Sequence, residues 1–164
     1  MNIAIISDTH GNENRTQAAI REIERHQPRL VIHCGDIGSV GIVWLFCGRP
    51  THFVIGNVDD PGSTRVAITQ AGLHYEGLFA DLTVEGMRIG VTHGHDQELL
   101  RSACDSQEFD LICTGHTHQR QWTMQGRTRV LNPGAIHRTA EPGLAFVRLP
   151  EMEVEYVSIP GSPA

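Results

Sequence analysis

Short apolar segments that end just before acidic, amide or histidine residues are the feature that most constrains this chain. Segments of this length are too short for helices, and their isoleucine and valine residues are typical of buried strands. The five segments are Asn2–Ile6, 30–34, 51–55, 87–91 and 110–113. A chain with this pattern is expected to bring its polar side chains together at one edge of a sheet.

Helical segments follow the first three predicted strands. Glu13–His26 places four apolar side chains at helical spacing, and Pro28 stands just beyond its end. Shorter helices are predicted over 40–46 and over 64–70, the second of them after a turn at Pro61-Gly62. The resulting order β-α-β-α-β-α is typical of an α/β domain with parallel strands.

The second half of the chain predicts antiparallel pairs, because its strands come two by two around short turn signals. Glu85-Gly86 and Gly126 mark two of these turns, and Pro150-Glu151 marks the third. The paired segments are 78–84 with 87–91, 121–125 with 128–131, and 145–149 with 154–159. A helix is predicted over 96–104, between the first pair and the strand at 110–113.

The length of 164 residues fits one domain, which we place at 1–159 with a loose C-terminal tail at 160–164. No apolar run is long enough for a signal peptide or a membrane span, so no membrane association is expected. The four cysteines include no C-x-x-C pair, and they are expected to be free thiols in a reducing cytoplasm.

The charge and the aromatic content argue against nucleic acid as a partner. The formal net charge is -6, from 13 basic and 19 acidic residues, whereas proteins that neutralise nucleic-acid phosphates are usually basic. Aromatic residues make up 5% of the chain, which is too few for platforms on which bases stack. A small phosphorylated substrate fits this charge, because bound metal cations change the local field.

The polar residues that follow the strands have the chemistry of metal ligands. Each motif alone has a simpler interpretation, since Gly35-Asp36 and Gly56-Asn57 are typical of turns and a single Asp-x-His is common. Their coincidence at five strand ends favours one shared site, and the glycines beside them permit tight turns. The candidate ligands are Asp8, His10, Asp36, Asn57, His93, His116 and His118.

This set of ligands predicts two metal ions rather than one. Carboxylate, imidazole and amide groups without thiolate suit manganese, zinc, iron or cobalt better than a soft copper site. The set exceeds the four ligands of a tetrahedral zinc and suits two metals that share a carboxylate. Two ions about 3.5–4 Å apart can activate a water molecule and hold a phosphoryl oxygen.

The ordered motifs resemble those of the calcineurin-like metallophosphoesterase superfamily, above all its small single-domain bacterial and archaeal phosphodiesterases. The motifs are Asp8-Thr9-His10, Gly35-Asp36, Gly56-Asn57-Val58-Asp59, His93, Gly115-His116-Thr117-His118 and Asn132-Pro133-Gly134. The resemblance extends over 1–158, which is nearly the whole chain. It implies an α/β fold of two packed mixed β-sheets flanked by helices, a four-layer sandwich, with a dinuclear site at the sheet edge.

The resemblance also implies roles for the candidate residues. By motif position, the first metal is held by Asp8, His10 and His118, the second by Asn57, His93 and His116, and Asp36 bridges them. A hydroxide that bridges the metals attacks phosphorus, and Asn57 helps to orient a phosphoryl oxygen, so Asp36 and Asn57 are the implied catalytic residues. Two divalent ions are expected as cofactors, manganese first, with iron, zinc, nickel and cobalt as alternatives.

The chain departs from the family pattern at Val58, where many members carry histidine and the small subgroup often carries cysteine. Valine cannot protonate a leaving group, and general acid help is worth about 10²–10⁴-fold. Aryl phosphodiesters, whose leaving groups are acidic, should suffer least, which favours phosphodiester over broad phosphomonoester hydrolysis. Asp59 is expected to orient Asn57 or a nearby histidine, and His95 is either a supporting or substrate residue or a solvent-facing loop residue.

Two other functions stay open at this point. Some relatives keep this fold as protein-binding scaffolds with little catalysis; the complete ligand set argues against a scaffold, and Val58 argues for one. A nuclease is the third interpretation, and the excess of acidic over basic residues argues against it. A homo-oligomer would fit the family, although no sequence feature marks an interface.

Overall fold

The computed structural model of the protein describes residues 1–160, which form eleven strands and four helices. The strands are β1 (Asn2–Ile6), β2 (Leu30–His33), β3 (Thr51–Val54), β4 (His74–Gly77), β5 (Phe79–Val84), β6 (Met87–Thr92), β7 (Leu111–Cys113), β8 (Arg120–Gln125), β9 (Thr128–Pro133), β10 (Gly143–Arg148) and β11 (Glu153–Ser158). The helices are α1 (Glu13–His26), α2 (Val40–Trp44), α3 (Pro61–Gln70) and α4 (Gln97–Asp105).

The strands form two mixed sheets. The first sheet has the order β11-β10-β1-β2-β3-β4, in which β1 to β4 run parallel and β10 pairs antiparallel with both β1 and β11. The second sheet has the order β5-β6-β7-β9-β8. Its central strand β7 pairs in parallel with both β6 and β9, so the predicted antiparallel pairing of the second half holds for the three hairpins only.

The two sheets pack face to face, and helices cover their outer faces. Side chains alternate along β1, so Ala4 and Ile6 pack against α1 to α3, whereas Ile3 and Ile5 pack against the second sheet. Helix α4 covers the outer face of the second sheet through Ala103. These four layers confirm the predicted α/β fold of two packed mixed sheets flanked by helices.

The helix boundaries follow from their caps. Helix α1 has the predicted bounds, and the Asn12 side chain accepts a hydrogen bond from the backbone N–H of Arg15 at its start. Helix α3 begins three residues earlier than predicted, because Asp60 caps it and Pro61 occupies its first position. The turn predicted at Pro61-Gly62 is therefore wrong, and α2 is shorter than the predicted 40–46.

Strand β4 was not predicted from the sequence. It lies at the edge of the first sheet and pairs only with β3 among the described strands. Its residues are polar or half-exposed and do not alternate with apolar residues. The other strands have the predicted ends or differ from them by one or two residues.

The predicted tail at 160–164 lies largely outside the described residues, which end at an exposed Pro160. Within residues 1–160, no helix has the length and apolar character needed to cross a membrane.

Candidate metal centre

The loops after β1, β2 and β7 meet at the carboxyl ends of the strands. The backbone N–H of Asp8 donates to Gly35 O at 3.0 Å, and that of His10 donates to Asp36 O at 3.0 Å, which extends the β1–β2 pairing beyond the strands. The backbone N–H of His116 donates to Asp8 Oδ2 at 3.1 Å, which joins the second sheet to the first. The polar side chains predicted to converge therefore come from loops that are hydrogen-bonded to each other.

Five of the predicted ligands have left-handed backbone conformations, with φ between 44° and 67°. They are Asp8, His10, Asp36, His116 and His118. Such conformations are uncommon for residues other than glycine, although Asp and His adopt them more readily than most. Strained backbone of this kind clusters at functional sites, where the surrounding structure holds it in place.

The first group of donor atoms comes from Asp8, His10 and His118, which all lie within 4.8 Å of one another. His118 Nε2 is 3.1 Å from Asp8 Oδ1 and 3.2 Å from His10 Nε2. Asp8 is fully buried, whereas both imidazoles are partly accessible. Two imidazoles and one carboxylate thus face a common point at the mouth of the site.

The second group comes from Asp8, Asp36 and His93, which are all buried and also lie within 4.8 Å of one another. His93 Nε2 is 3.2 Å from Asp36 Oδ1, and His10 Nε2 is 3.7 Å from Asp36 Oδ2. The two oxygens of Asp36 therefore face the two groups, which is the arrangement that a bridging carboxylate requires.

Backbone carbonyls orient two of these imidazoles. His93 Nδ1 donates to Cys34 O at 2.8 Å, and His118 Nδ1 donates to Arg138 O at 3.1 Å. Because a carbonyl oxygen can only accept, Nδ1 carries the proton in both rings, and Nε2 faces the carboxylates. This pattern is common for histidines that bind metals.

Two buried atoms in this region show that the site fits divalent cations. Asp8 Oδ1 and His93 Nε2 are buried and have no hydrogen-bond partner among the described residues. Buried polar atoms without a partner are rare in folded proteins. Both belong to the donor groups, and the mixture of carboxylate and imidazole suits first-row divalent metals.

The groups around Asp36 favour its ionised carboxylate, which is the form that binds a metal ion. Burial acts to raise the pKa of Asp36, but the adjacent His93, the Val58 N–H and the charge of His10 together lower it to about 2. Burial lowers the pKa of His10, against the opposing effect of Asp36 and Asp8, and this shift favours the neutral imidazole that binds a cation.

The comparisons with known proteins agree with this geometry. A family model described as the calcineurin-like phosphoesterase superfamily domain matches residues 1–151. The chain belongs to this superfamily. The phosphodiesterase MJ0936 of Methanocaldococcus jannaschii is 29% identical over 139 residues, which cover 82% of this chain and 83% of that protein. The probable metallophosphoesterase YsnB of Bacillus subtilis is 31% identical over 147 residues, which cover 83% of this chain and 75% of that protein.

A solved structure of an archaeal phosphodiesterase has the same fold as this calcineurin-like phosphoesterase. It has a TM-score of 0.90 and 25% sequence identity, and the match covers 97% of this chain and 100% of that one. The superfamily inferred from the motifs is confirmed, and the chain carries the domain of a phosphoester hydrolase.

Two predicted ligands lie at the exposed side of the phosphoesterase site. His116 is exposed, and its ring centroid is 5.2 Å from that of the buried His93. Asn57 is exposed on the loop after β3, between Gly56 and Val58, and the backbone N–H of Val58 donates to Asp36 Oδ1 at 3.2 Å. The roles of Asn57 and His116 in metal binding stay predictions.

Asp59 and His95 lie around the centre. The Asp59 carboxylate accepts backbone hydrogen bonds from Gly38 at 2.9 Å and Gly56 at 2.8 Å, so it joins the loops after β2 and β3. His95 is half-buried, with its ring 5.4 Å from the His93 ring. Asp59 thus contacts the backbone on both sides of the centre, and its predicted role in orienting Asn57 or a nearby histidine stays a prediction.

Asn132, which sequence reasoning quoted only as part of a motif, supports the loop that carries His116 and His118. Its Nδ2 donates to Gly115 O at 2.6 Å and to Thr117 Oγ1 at 3.1 Å. Its Oδ1 accepts from the backbone N–H of Gly134 at 2.9 Å. The Asn-Pro-Gly motif was the signal that could have identified this role.

His33 is fully buried, and both of its ring nitrogens have hydrogen-bond partners. Its Nδ1 accepts from the backbone N–H of Gly35 at 3.2 Å, and its Nε2 lies 3.1 Å from Thr9 Oγ1. The Thr9 hydroxyl donates to Ile37 O, so its oxygen accepts the Nε2 proton. These contacts admit only the neutral ring, which links the loops that carry the Asp8 and Asp36 ligands.

Replacing His33 with leucine should reduce the acid sensitivity of the metal-free phosphoesterase. Burial lowers the pKa of His33 from 6.5 to about 3, and the nearby His93 adds to this effect. Between these pH values the unfolded chain binds a proton that the folded protein does not, so stability falls as the pH falls. Urea unfolding from pH 6.5 to 4 should show a slope smaller by about 1.4 kcal/mol per pH unit in His33→Leu.

A Thr9→Val variant is the control for this pH effect, because it keeps the buried imidazole and removes the hydroxyl that accepts from Nε2 and donates to Ile37 O. Thr9→Val should retain the acid sensitivity of the wild-type protein. Equal slopes for His33→Leu and wild type would show that another group causes the loss of stability in acid.

Proposed function

We propose that this protein is a dinuclear metal-dependent phosphodiesterase that acts on small phosphorylated substrates. The observation that carries the proposal is the position of Asp36, whose Oδ2 faces His10 of the first group of donor atoms and whose Oδ1 faces His93 of the second, while both groups share Asp8. The names of the relatives, a phosphodiesterase and a probable metallophosphoesterase, support the same activity. In this proposal Asp8, His10 and His118 hold one ion, Asn57, His93 and His116 hold the other, and Asp36 contacts both.

Two divalent ions, when bound, would supply an activated water and would stabilise charge on the phosphoryl oxygens. The residues of the chain position this chemistry. Asp36 is held by the Val58 N–H, and the Cys34 carbonyl aims Nε2 of His93 towards Asp36. Asn57, exposed at the rim, is the residue that we propose orients a phosphoryl oxygen.

Val58 affects which leaving groups the proposed enzyme prefers, because it lies where a proton donor would stand. Its side chain is 46% exposed beside the centre and has no proton to donate. Val40 and Val58 line a groove of about 160 Å³ together with Gly38 and Asp59. The rest of the lining is mostly polar and includes Asp60 and Ser63. Because Val58 cannot protonate a leaving oxygen, we propose diesters with acidic leaving groups as the preferred substrates.

We propose manganese as the first metal to test, since the ligand types admit manganese, iron, cobalt, nickel and zinc alike. The four cysteines are free thiols, and three of them are buried. Free thiols persist in a reducing compartment, so we propose the cytoplasm as the place of action. A homo-oligomer stays a prediction.

A protein-binding scaffold is the second candidate function. The apolar side chains of Val40, Trp44, Val58 and Val66 are each between 45% and 55% exposed on α2, α3 and the loop before α3. Exposed apolar surface of this kind is typical of contacts with other proteins. A scaffold, however, has no physical reason to keep two complete groups of donor atoms, and for this reason we prefer the enzyme.

The proposal is tested by hydrolysis of bis(4-nitrophenyl) phosphate and 4-nitrophenyl phosphate by one preparation. Protein stripped with a chelator should be inactive, and added Mn²⁺ should restore turnover of the diester, because the proposed hydrolysis depends on the bound ions. The diester should be preferred over the monoester, and release of nitrophenolate measures both reactions.

A Val58→His variant serves as the comparison for the leaving group. It should accelerate release of an alkyl alcohol from an alkyl aryl or dialkyl phosphodiester by about 10²-fold, the lower end of general acid catalysis, and change aryl release much less. Folded protein that hydrolyses neither nitrophenyl substrate with any of the five metals would contradict the enzyme and leave the scaffold as the better interpretation.

A further inference from the structure

Three side chains at the edge of the first sheet form a second cluster of metal-binding groups. His52 on β3 and His74 on β4 are paired residues of neighbouring parallel strands, so they lie on the same face. Glu76 is two residues beyond His74 and shares that face. The donor atoms of the three side chains lie within 4.8 Å of one another. They lie towards the amino ends of these strands, whereas the candidate metal centre is at the carboxyl ends.

The cluster contains one imidazole more than a histidine–glutamate ion pair needs. His52 Nδ1 lies 2.6 Å from Glu76 Oε1, and one imidazole is sufficient for that contact. The second imidazole, His74, stacks on His52 with 4.3 Å between ring centroids and 9° between ring planes. The side chains of His52 and Glu76 are only 20% and 26% exposed, so water is partly excluded from their contact.

We propose that His52, His74 and Glu76 bind a zinc ion. Two imidazoles and one carboxylate, with a fourth position left to water, are a donor set that zinc uses in proteins. Tetrahedral zinc with bonds near 2.1 Å places its ligand atoms roughly 3.4 Å apart. In the cluster, His52 Nδ1 and Glu76 Oε1 are 2.6 Å apart, and all three donor atoms lie within 4.8 Å of one another. The Glu76 carboxylate must therefore move away from His52, and the stacked rings must tilt so that both imidazoles face one ion. Rotation about side-chain bonds supplies these movements.

The position of the cluster at the sheet edge indicates what a bound zinc ion would stabilise and how it would reach the cluster from solvent. Strand β4 is four residues long, forms the edge of its sheet and is held by β3 alone among the described strands. An ion bound by both strands ties this edge down. His74 is exposed and also lines an open groove of about 300 Å³ with Arg49 and Leu73, through which the ion reaches the site from solvent.

The proposal is tested by counting zinc on the full-length protein after equilibrium dialysis against ZnCl₂, with metal and protein measured on the same samples. His74→Ala and Glu76→Gln should each retain one zinc per chain fewer than the wild type. Their zinc affinity at this site should fall by roughly 100-fold or more, since even residues that only support a ligand contribute 10–100-fold. Hydrolysis at the candidate metal centre should be unchanged in both variants.

His26→Ala is the matched control, because His26 also lies beside a glutamate, 3.9 Å from Glu155, but is in none of the clusters of metal-binding side chains. It should retain the wild-type zinc content. The loss of one zinc ion in His74→Ala does not depend on how many ions the candidate metal centre holds. The double variant Asp36→Ala/His74→Ala should therefore bind one zinc ion fewer than Asp36→Ala alone. Wild-type zinc content in folded His74→Ala and Glu76→Gln would overturn the proposal.

Discussion

Replacing Asp36 with alanine is expected to lower kcat/KM for a phosphodiester by about 10³-fold or more, since loss of a single group that stabilises the transition state already costs about 10²–10³-fold. Asp36 faces both donor groups through its two oxygens, so its loss affects both proposed ions. The bound Mn²⁺ per chain should also fall in Asp36→Ala. Activity assays at saturating Mn²⁺ and metal analysis after dialysis measure the two effects.

Asp81→Ala is the control for the Asp36 variant. Asp81 lies on the surface, where its carboxylate contacts Arg88, and exposed ion pairs of this type contribute little to stability. Asp81→Ala should keep wild-type activity and metal content. If Asp36→Ala keeps its activity while remaining folded, Asp36 does not bridge two ions, and the dinuclear proposal fails.

Replacing Gly56 with alanine is expected to reduce metal binding and hydrolysis as strongly as Asp36→Ala does, although the change adds only one methyl group. A Cβ at this position would lie 2.1 Å from Asp36 Oδ1 and 2.5 Å from Asp36 N. Either Asp36 or the loop after β3 must therefore move. The added atom should cost about 1–3 kcal/mol in the free energy of unfolding, and displacement of Asp36 should remove metal binding and hydrolysis. Urea unfolding and the diester assay measure these effects.

Gly62→Ala is the matched control for this substitution, since Gly62 lies in α3 and its added Cβ would meet only Asp60 Oδ2 at 3.5 Å, an ordinary contact. Gly62→Ala should stabilise the protein by about 0.5–1 kcal/mol, as alanine does at an unstrained position in a helix. Wild-type metal binding in Gly56→Ala would show that the centre tolerates displacement of Asp36.

Local patterns in the sequence were sufficient for most of the elements. The apolar segment Asn2–Ile6 and the helix Glu13–His26 have the predicted bounds, because a strand's alternation and a helix's spacing are both present within a few residues. The same patterns placed the candidate ligands just after five of the predicted strands. The structure brings Asp8, His10, Asp36, His93 and His118 together, as that placement predicted. Metal binding by these residues stays a prediction.

Elements that depend on distant partners could not be predicted in this way. Strand β4 is polar and becomes a strand because β3 lies beside it, with His52 opposite His74. The parallel pairing of β7 with β6 and β9 depends on long connections, which short turn signals do not reveal. The start of α3 was hidden for a different reason, since Pro61-Gly62 is as typical of a turn as of a first helical turn.

The sequence by itself determined the family, the order of every element except β4, and the set of candidate ligands, because these depend on residue type and spacing along the chain. Only the tertiary structure decided which oxygen of Asp36 faces which group, and how His33 and Asp59 join the loops. It also brought His52, His74 and Glu76 within reach of one ion. The physical reason is that hydrogen-bond direction and ligand distance are set by backbone pairing between segments that are far apart in sequence.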